Sequence, residues 1–396
     1  MSKRTRKQKA ETRLAHAGRE PGRHHGFVNT PIYRGSTVLF PTLASIEANS
    51  QEFTYGRLGT PTVKALEEAL AELEGGHRTL LTPSGLSAIA ATLLAFVSDG
   101  DEVLVSDSVY QPTRRFCDHV LKRLSVKTTY YDPLIGGAIK ALLNERTKAV
   151  FTESPGSQSF EVQDIPAIAQ AAHEAGAVVI MDNTWATPLF FKPFTHGVDV
   201  SIQAATKYIV GHADAMLGAI TASDKTARAV EISHTDLGLC PGPEDAYLGL
   251  RGLRTLAVRL ARHQQSAIEL ARWLGSRVEV ARVLHPALPS DPGHALWKRH
   301  FTGASGLFAI VLKPVPHTAL AAMLDGLQLF GMGYSWGGFE SLILPFNPSA
   351  YRTATTWQAQ GPALRLHVGL EDVDDLKADL DAGFARLAKH RKPKES

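Results

Sequence analysis

Two residues near the middle of the chain, a lysine and an aspartate, have the types and positions from which cofactor chemistry can be inferred. Lys207 ends the segment Ser-Ile-Gln-Ala-Ala-Thr-Lys, and Asp182 ends the apolar run Val-Val-Ile-Met-Asp. Each follows a strand-like run, so both are expected at one edge of a parallel sheet. Pyridoxal phosphate requires a lysine for its Schiff base and an acid beside its pyridine nitrogen. Together the two residues predict such a site, although a surface lysine and a turn-forming aspartate are the alternatives when each is taken alone.

A phosphate group needs several N–H and hydroxyl donors, and one segment offers them at the start of a predicted helix. In Thr-Pro-Ser84-Gly85-Leu86 a short turn leads directly into an apolar helical run. The N-terminus of such a helix carries free amides and the positive end of the helix dipole. Gly85 and Leu86 would donate backbone N–H groups, and the hydroxyl of Thr206 would add a further donor. An ordinary helix cap by Ser84 is the alternative for this segment alone.

Other polar and aromatic residues could contact a substrate or a flat ring. Arg365 lies inside the apolar run Ala-Leu-Arg-Leu-His-Val, and an arginine in a mostly buried strand usually has an anionic partner. A substrate carboxylate would fit its two-pronged donor group, and a structural ion pair is equally consistent. Tyr110 follows a predicted strand and could stack on a ring or simply pack. Tyr55 and Arg57 form a polar pair near the N-terminus.

Composition and motif spacing exclude several other classes of protein. The 396 residues are 44% hydrophobic and 20% charged, with a net charge of +3, which indicates a soluble globular chain of two or three domains without a nucleic-acid or membrane surface. Two cysteines and no secretory signal make the cytoplasm the expected location. The glycines of Gly331-Met-Gly333 precede a strand-like run rather than a helix, which argues against a dinucleotide site. The sixteen histidines lack metal-site spacing, so we expect no metal.

Alternating strand-like and helical segments predict an α/β fold. Apolar runs such as Val178-Val-Ile-Met alternate with helices of about ten residues, which indicates a mainly parallel sheet covered by helices on both faces. Thr60 and Pro61 are expected to begin one of these helices, and Gly75 to end it. We predict an N-terminal arm over residues 1–57, a cofactor-binding domain over 58–253, and a smaller C-terminal α/β domain of more antiparallel character over 254–396.

The order and spacing of these motifs resemble the Cys/Met-metabolism family of pyridoxal-phosphate enzymes. The likeness extends from about Thr12 to Leu387 and rests on the following segments: Tyr55-Gly-Arg57, Ser84-Gly85, Asp182-Asn-Thr, Ala205-Thr-Lys-Tyr208, Leu250-Arg-Gly-Leu-Arg-Thr-Leu256, Ser335-Trp-Gly-Gly-Phe-Glu-Ser341 and Arg365-Leu-His-Val-Gly-Leu-Glu371. It implies the type I pyridoxal-phosphate transferase fold and homotetramers built as dimers of dimers.

The same resemblance implies a role for each candidate residue. Lys207 would carry the cofactor, and Tyr55 and Tyr110 would be further catalytic residues. Asp182 would pair with the ring nitrogen of the cofactor, and Tyr110 would stack on its ring. Gly85, Leu86 and Thr206 would bind the phosphate, joined by Tyr55 and Arg57 from a neighbouring subunit. Arg365 and Ser335 would hold the substrate carboxylate, beside Trp336.

Three residues that depart from the wider family pattern favour its β-eliminating branch. Ala204 stands where many relatives have serine, Ser157 where many have asparagine, and Trp336 where γ-acting members commonly have leucine. The implied reaction is cleavage of a carbon–sulfur bond in cystathionine, cystine or cysteine, as in methionine biosynthesis. The alternatives are a γ-acting lyase or synthase, a non-catalytic cofactor-binding protein, and an aminotransferase.

Overall fold

The larger of two sheets has seven strands in the order β1-β7-β6-β5-β4-β2-β3. The structure is a computed structural model, and it describes residues 8–391. The strands β3, β2, β4, β5 and β6 run parallel, whereas β7 is antiparallel to both β6 and β1. The strands are β1 (Arg78–Thr82), β2 (Glu102–Ser106), β3 (Lys127–Tyr131), β4 (Thr147–Glu153), β5 (Val178–Asp182), β6 (Val200–Gln203) and β7 (Gly218–Ala222).

Helices cover both faces of this sheet, as the apolar strands predicted. Alternate residues of β5 enter different cores, with Val179 and Met181 in one and Ile180 in another, because successive side chains of a strand point to opposite faces. The helices of this half are α1 (Ala10–His16), α2 (Leu43–Glu47), α3 (Pro61–Glu74), α4 (Gly85–Leu94), α5 (Gln111–Phe116), α6 (Ile165–Glu174), α7 (Thr187–Phe190) and α8 (Ala227–Asp236). The mainly parallel, helix-covered sheet is thereby confirmed.

The predicted bounds of α3 are also confirmed. The hydroxyl of Thr60 accepts a hydrogen bond from the amide of Val63, and Pro61 occupies the first turn, where its missing N–H costs nothing. The helix ends at Gly75, which has a φ of 80°, a left-handed conformation that glycine adopts without a steric penalty.

The smaller sheet is fully antiparallel and has the strand order β10-β11-β9-β8. It packs against helices over a separate apolar core that includes Phe308 and Phe384. Its elements are β8 (Val280–Leu284), α10 (His294–His300), β9 (Leu307–Leu312), α11 (His317–Leu324), β10 (Leu342–Phe346), β11 (Ala363–His367) and α12 (Val373–Arg391). The antiparallel character expected for the C-terminal part is therefore present.

One helix, α9 (Pro243–Gly275), is 33 residues long and runs continuously past residue 253. The domain boundary predicted at that residue would therefore fall within a helix, and it stays a prediction. Part of the predicted arm also packs closely, since Leu14 of α1 is only 2% exposed and its carbonyl accepts a hydrogen bond from Arg254 of α9.

Three strands were not anticipated from the sequence. β3 reads Lys-Thr-Thr-Tyr-Tyr and lies at the sheet edge, where a strand does not need an apolar run. β7 is short and rich in small residues, and β8 has exposed positions in its middle. Within residues 8–391, no helix combines the length and apolar character needed to cross a membrane, and no metal-type cluster of side chains occurs.

Candidate active site

The carboxyl ends of β4, β5 and β6 bring polar side chains to one edge of the large sheet. Asp182 closes β5 and pairs in register with Glu153 on β4 and with Ile202 on β6. Lys207 follows β6 in a turn whose backbone bonds to the residue just before β7, since Thr206 N donates to Leu217 O at 2.9 Å. Ligands of open parallel sheets bind at this edge.

The amine of Lys207 contacts a loop from the C-terminal half of the chain. Its Nζ donates to Ser335 Oγ at 2.5 Å and lies 5.5 Å from the centre of the Trp336 ring. Burial, followed by the charge of Arg365, lowers the pKa of Lys207 to about 8, while Asp182 opposes the shift. At such a pKa about a tenth of the amine is neutral at pH 7, far more than for an ordinary lysine, and the neutral form is the one that acts as a nucleophile or a base.

Asp182 is only 8% exposed, and one of its two carboxylate oxygens is held. Oδ1 accepts hydrogen bonds from Thr184 N at 3.0 Å and from Thr184 Oγ1 at 2.5 Å. Across residues 8–391 no group donates to Oδ2. Burial raises the pKa of Asp182, and both Thr184 bonds and the nearby Lys207 oppose that rise. A cationic N–H placed at Oδ2 would favour the ionised form.

Arg365 has no carboxylate partner in the part of the chain that the structure describes. Its Nη2 donates to the carbonyl of Ser335 at 2.9 Å, and its Nε is buried without a partner. Burial lowers the pKa of this guanidinium, and Tyr110 and Tyr334 act in the opposite direction. The structural ion pair considered from the sequence is thus not found, and the free Nε favours an anionic ligand.

The start of α4 has the form expected of a phosphate site. Ser84 and Ser87 bond reciprocally as a capping box, which leaves the amides of Gly85 and Leu86 among those without partners inside the helix. A Cβ at Gly85 would lie 2.6 Å from the Cβ of Ala204, so only glycine allows this close approach of helix and strand end. The hydroxyl of Thr206 already bonds to both backbone groups of Leu217, so binding a phosphate would require it to share or exchange those bonds.

Tyr110 stands at the start of α5 with 44% of its surface exposed, which leaves a ring free to stack. Its backbone N–H donates to Glu153 Oε2 at 2.7 Å. Burial, followed by Glu153 and Asp182, raises the pKa of the Tyr110 hydroxyl, while Arg365 lowers it. The bond to Glu153 holds Tyr110 at the same edge of the sheet as the end of β4.

Tyr55 and Arg57 are not brought to Lys207 within one chain. Arg57 donates to the carbonyl of Thr235 at 3.0 Å, and both residues line a cleft together with Cys240. Tyr55 is 46% exposed. Their contact with a neighbouring subunit's cofactor stays a prediction.

The residues fit pyridoxal phosphate. An amine with a lowered pKa, a buried acid with one free oxygen, an exposed aromatic ring and a helix N-terminus with free amides lie at one sheet edge. The donor groups match the aldehyde, ring nitrogen, ring face and phosphate of that molecule.

Three residues that support the site were not predicted from the sequence. Glu153, at the end of β4, holds the Tyr110 amide, and burial raises its pKa well above the usual range, with Asp182 adding to the rise. Thr184 holds Asp182, and His367 contacts the loop that carries Ser335. The carboxyl-end position of Glu153 was a readable signal, because it matches that of Asp182.

Comparison with known proteins agrees with this assembly of residues. A protein of Rhizobium johnstonii, provisionally named cystathionine beta-lyase, is 54% identical over 381 residues, which is 94% of this chain and 95% of its own. The cystathionine beta-lyase of Escherichia coli is 46% identical over 391 residues, covering 96% of this chain and 99% of its own. Cystathionine gamma synthase from Xanthomonas oryzae, solved in complex with aminoacrylate and cysteine, superposes with a TM-score of 0.89 at 33% identity, over 97% and 99% of the two chains. The family model for Cys/Met metabolism PLP-dependent enzymes matches residues 11–385, and the chain therefore belongs to that family.

Proposed function

We propose that this chain is a carbon–sulfur lyase that converts L-cystathionine and water into homocysteine, pyruvate and ammonia. The observation that carries the proposal is the placement of the Lys207 amine, which contacts Ser335 and whose pKa is shifted by burial, Arg365 and Asp182. The Escherichia coli relative that bears the name cystathionine beta-lyase supports the same reaction. Cysteine and cystine also carry sulfur on Cβ, so we expect them as further substrates.

The residues that would hold the cofactor divide by the part of it they meet. When bound, pyridoxal phosphate supplies an electron sink that stabilises negative charge at the substrate Cα. Lys207 would hold it covalently, Asp182 would bind its ring nitrogen, and Tyr110 would cover a ring face. The phosphate would be bound by Gly85, Leu86 and Thr206, with Tyr55 and Arg57 of a neighbouring subunit.

The chain's own residues account for substrate orientation and proton transfer. Arg365 and Ser335 would hold the substrate carboxylate, which fixes the direction of the Cα–H bond. Lys207, once released by the incoming substrate amine, would remove the Cα proton as a neutral base. Lys207 or Tyr55 would then return a proton to the departing thiolate.

A γ-acting reaction is the main alternative, because the structurally similar Xanthomonas oryzae protein, 33% identical to this chain, is named a cystathionine gamma synthase. Incubation of the purified protein with L-cystathionine separates the two, provided that the thiol is identified as well as measured. Homocysteine with pyruvate supports the proposal, whereas cysteine with 2-oxobutyrate indicates γ-elimination. Amino-group exchange without thiol indicates an aminotransferase, and cofactor absorbance without turnover indicates a binding protein.

Replacing the lysine provides the matched control. We expect Lys207→Ala to lose the absorbance of the lysine-linked cofactor and nearly all turnover. Lys192, which donates to the carbonyl of Leu73, is a half-buried lysine outside the site. Lys192→Ala should therefore keep both the cofactor absorbance and the turnover. If Lys207→Ala also kept both, Lys207 would not be the cofactor lysine.

We also propose that the enzyme is a homotetramer in which Tyr55 and Arg57 complete a neighbouring site. Large apolar side chains of the N-terminal arm are exposed, including Phe27 at 70%, Leu39 at 85% and Leu43 at 70%, which suits burial against a second copy. Light scattering after size-exclusion chromatography tests the assembly. Inactive Lys207→Ala and Arg57→Ala chains, unfolded and refolded together, should regain activity, and no recovery would argue against a shared site.

A cytoplasmic location completes the proposal. Both cysteines are free, Cys117 in the core and Cys240 at the surface, as expected for a reducing compartment. Detection of the protein in a membrane or secreted fraction would contradict it.

A further inference from the structure

The loop that contacts Lys207 has an unfavourable backbone conformation. Ser335 has a φ of 84° and Gly337 a φ of 86°, both in the left-handed region, where a serine is strained. A Cβ at Gly337 would lie 3.0 Å from the backbone and Cβ of Lys207, so the loop packs directly against that residue. Such a conformation persists only where surrounding contacts enforce it.

One of these contacts comes from His367, at the end of β11. Its Nε2 lies 3.1 Å from the amide nitrogen of Gly337 and 3.1 Å from the carbonyl oxygen of Gly338. A neutral imidazole can accept from the first or donate to the second, and either bond ties the loop to β11. Arg365, two residues earlier on the same face of the strand, donates to the Ser335 carbonyl. Two side chains of one strand therefore hold the two ends of this loop.

The environment of the ring argues against a purely stabilising role. His367 is fully buried, and its Nδ1 has no partner among residues 8–391. A buried polar atom without a partner destabilises the fold, so an apolar residue would serve packing better. Burial, followed by His263, lowers the pKa of His367 to about 3, and the ring stays neutral at ordinary pH. What the imidazole offers here is a directed hydrogen bond to the loop.

We propose that His367 is a positioning residue for the substrate carboxylate, acting through the Ser335–Gly338 loop. By bonding to Gly337 or Gly338, the ring of His367 keeps two contacts of Ser335 in place. These are the hydrogen bond between Ser335 Oγ and Lys207 and the hydrogen bond between the Ser335 carbonyl and Arg365. The role rests on the proposed function of the site, because Ser335 and Arg365 are its proposed carboxylate-binding groups. Without the ring, the loop is free to leave its strained conformation, and the carboxylate loses part of its binding site.

The test measures binding of L-alanine to the cofactor-loaded enzyme, through the change in cofactor absorbance. L-alanine carries the amine and carboxylate but no leaving group on Cβ, so binding is read apart from elimination. We expect His367→Leu to weaken L-alanine binding about 10-fold, equivalent to about 1.4 kcal/mol. His367→Gln, whose amide can both accept from Gly337 and donate to Gly338, should stay close to the wild-type value. If the leucine variant does not fold, His367→Asn replaces it, because its shorter amide does not reach the loop.

His285 provides a matched control in the same half of the chain. It is also fully buried, with Nδ1 accepting from Ala287 N at 3.1 Å and Nε2 without a partner within the described range. His285→Leu should leave L-alanine binding unchanged. Equal losses in the His285 and His367 variants, or unchanged binding in His367→Leu and His367→Asn, would overturn the positioning role. A wild-type enzyme that binds L-alanine but releases no homocysteine from cystathionine would refute the lyase proposal and leave this test intact.

Discussion

Removal of the Arg365 guanidinium is the sharpest test of how the site recognises its substrate. Within the described residues, the Arg365 guanidinium makes a single hydrogen bond, to the Ser335 carbonyl, and its buried Nε has no partner. A carboxylate bound there would gain two charge-assisted bonds, each worth roughly 1.5–3 kcal/mol. Because water and the remaining loop atoms compensate in part, we expect Arg365→Leu to lose about 2–4 kcal/mol of transition-state binding. That loss corresponds to roughly a 30- to 900-fold fall in kcat/KM.

The assay compares two substrates and two variants. Elimination from cystathionine should fall by that factor in Arg365→Leu, and Arg365→Lys should recover only part of it, since an ammonium keeps the charge but not the planar pair of donors. An analogue that lacks the carboxylate next to the reacting amine should react poorly with the wild-type enzyme. For that analogue, kcat/KM of Arg365→Leu should equal that of the wild-type enzyme.

Two outcomes would contradict a direct role of Arg365 in substrate binding. An unchanged kcat/KM for cystathionine in Arg365→Leu would remove Arg365 from the substrate site. A fall of the same size for the carboxylate-free analogue would instead indicate that the arginine acts by holding the Ser335 loop. The cofactor absorbance of each variant should match the wild type, which confirms that the site remains loaded.

Three further predictions concern Lys207, the buried carboxylate of Asp107 and Gly85 at the start of α4. Burial lowers the pKa of Lys207 to about 8, and only the neutral amine reacts with the cofactor aldehyde. The rate at which cofactor-free protein takes up pyridoxal phosphate should therefore rise up to about pH 8 and then level off. A rate that keeps rising towards pH 10 would show that the pKa of Lys207 is not lowered. Asp107 is buried and accepts hydrogen bonds from the amide and the hydroxyl of Thr355, at 2.7 Å each. Burial opposes ionisation of this carboxyl, but the hydrogen bonds outweigh it and lower its pKa. The ionised carboxylate therefore stabilises the fold above about pH 4, and this stabilisation is lost at lower pH. Asp107 also forms a buried ion pair with Arg114, at 2.5 Å, which the asparagine would break. Thermal unfolding should therefore find Asp107→Asn less stable by about 3 kcal/mol at pH 7, with the difference in unfolding free energy narrowing in acid. Gly85→Ala would clash with Ala204 and should weaken pyridoxal-phosphate binding in a fluorescence titration. Gly275→Ala, at the end of α9, where a Cβ makes only an ordinary contact, should not.

Local patterns in the sequence were sufficient for the parallel sheet and for about half of the helices that pack on it, whereas α1, α2, α7 and α8 were not anticipated. The apolar runs of β2 and β5, the alternating residues of β6 and the cap of α3 depend on neighbouring residues alone, so they can be read without knowing the fold. The weakly apolar strand β7 escaped notice, because its pairing with β1 and β6 is a long-range contact. The continuous helix α9 crosses the predicted boundary for a similar reason, since its two ends pack against different cores.

By itself, the sequence determined the chemical types of the site: the lysine, the acid, the glycine before a helix and the arginine within a strand. Only the tertiary structure decided that Ser335 meets the amine of Lys207, that Arg365 has no acidic partner within the described chain, and that Glu153 holds the Tyr110 backbone. Residue types follow from the chain, but hydrogen bonds between residues 128 positions apart, such as that of Lys207 and Ser335, follow from how the sheets and loops pack. Burial, which lowers the pKa of the lysine, likewise arises only when the chain folds around it.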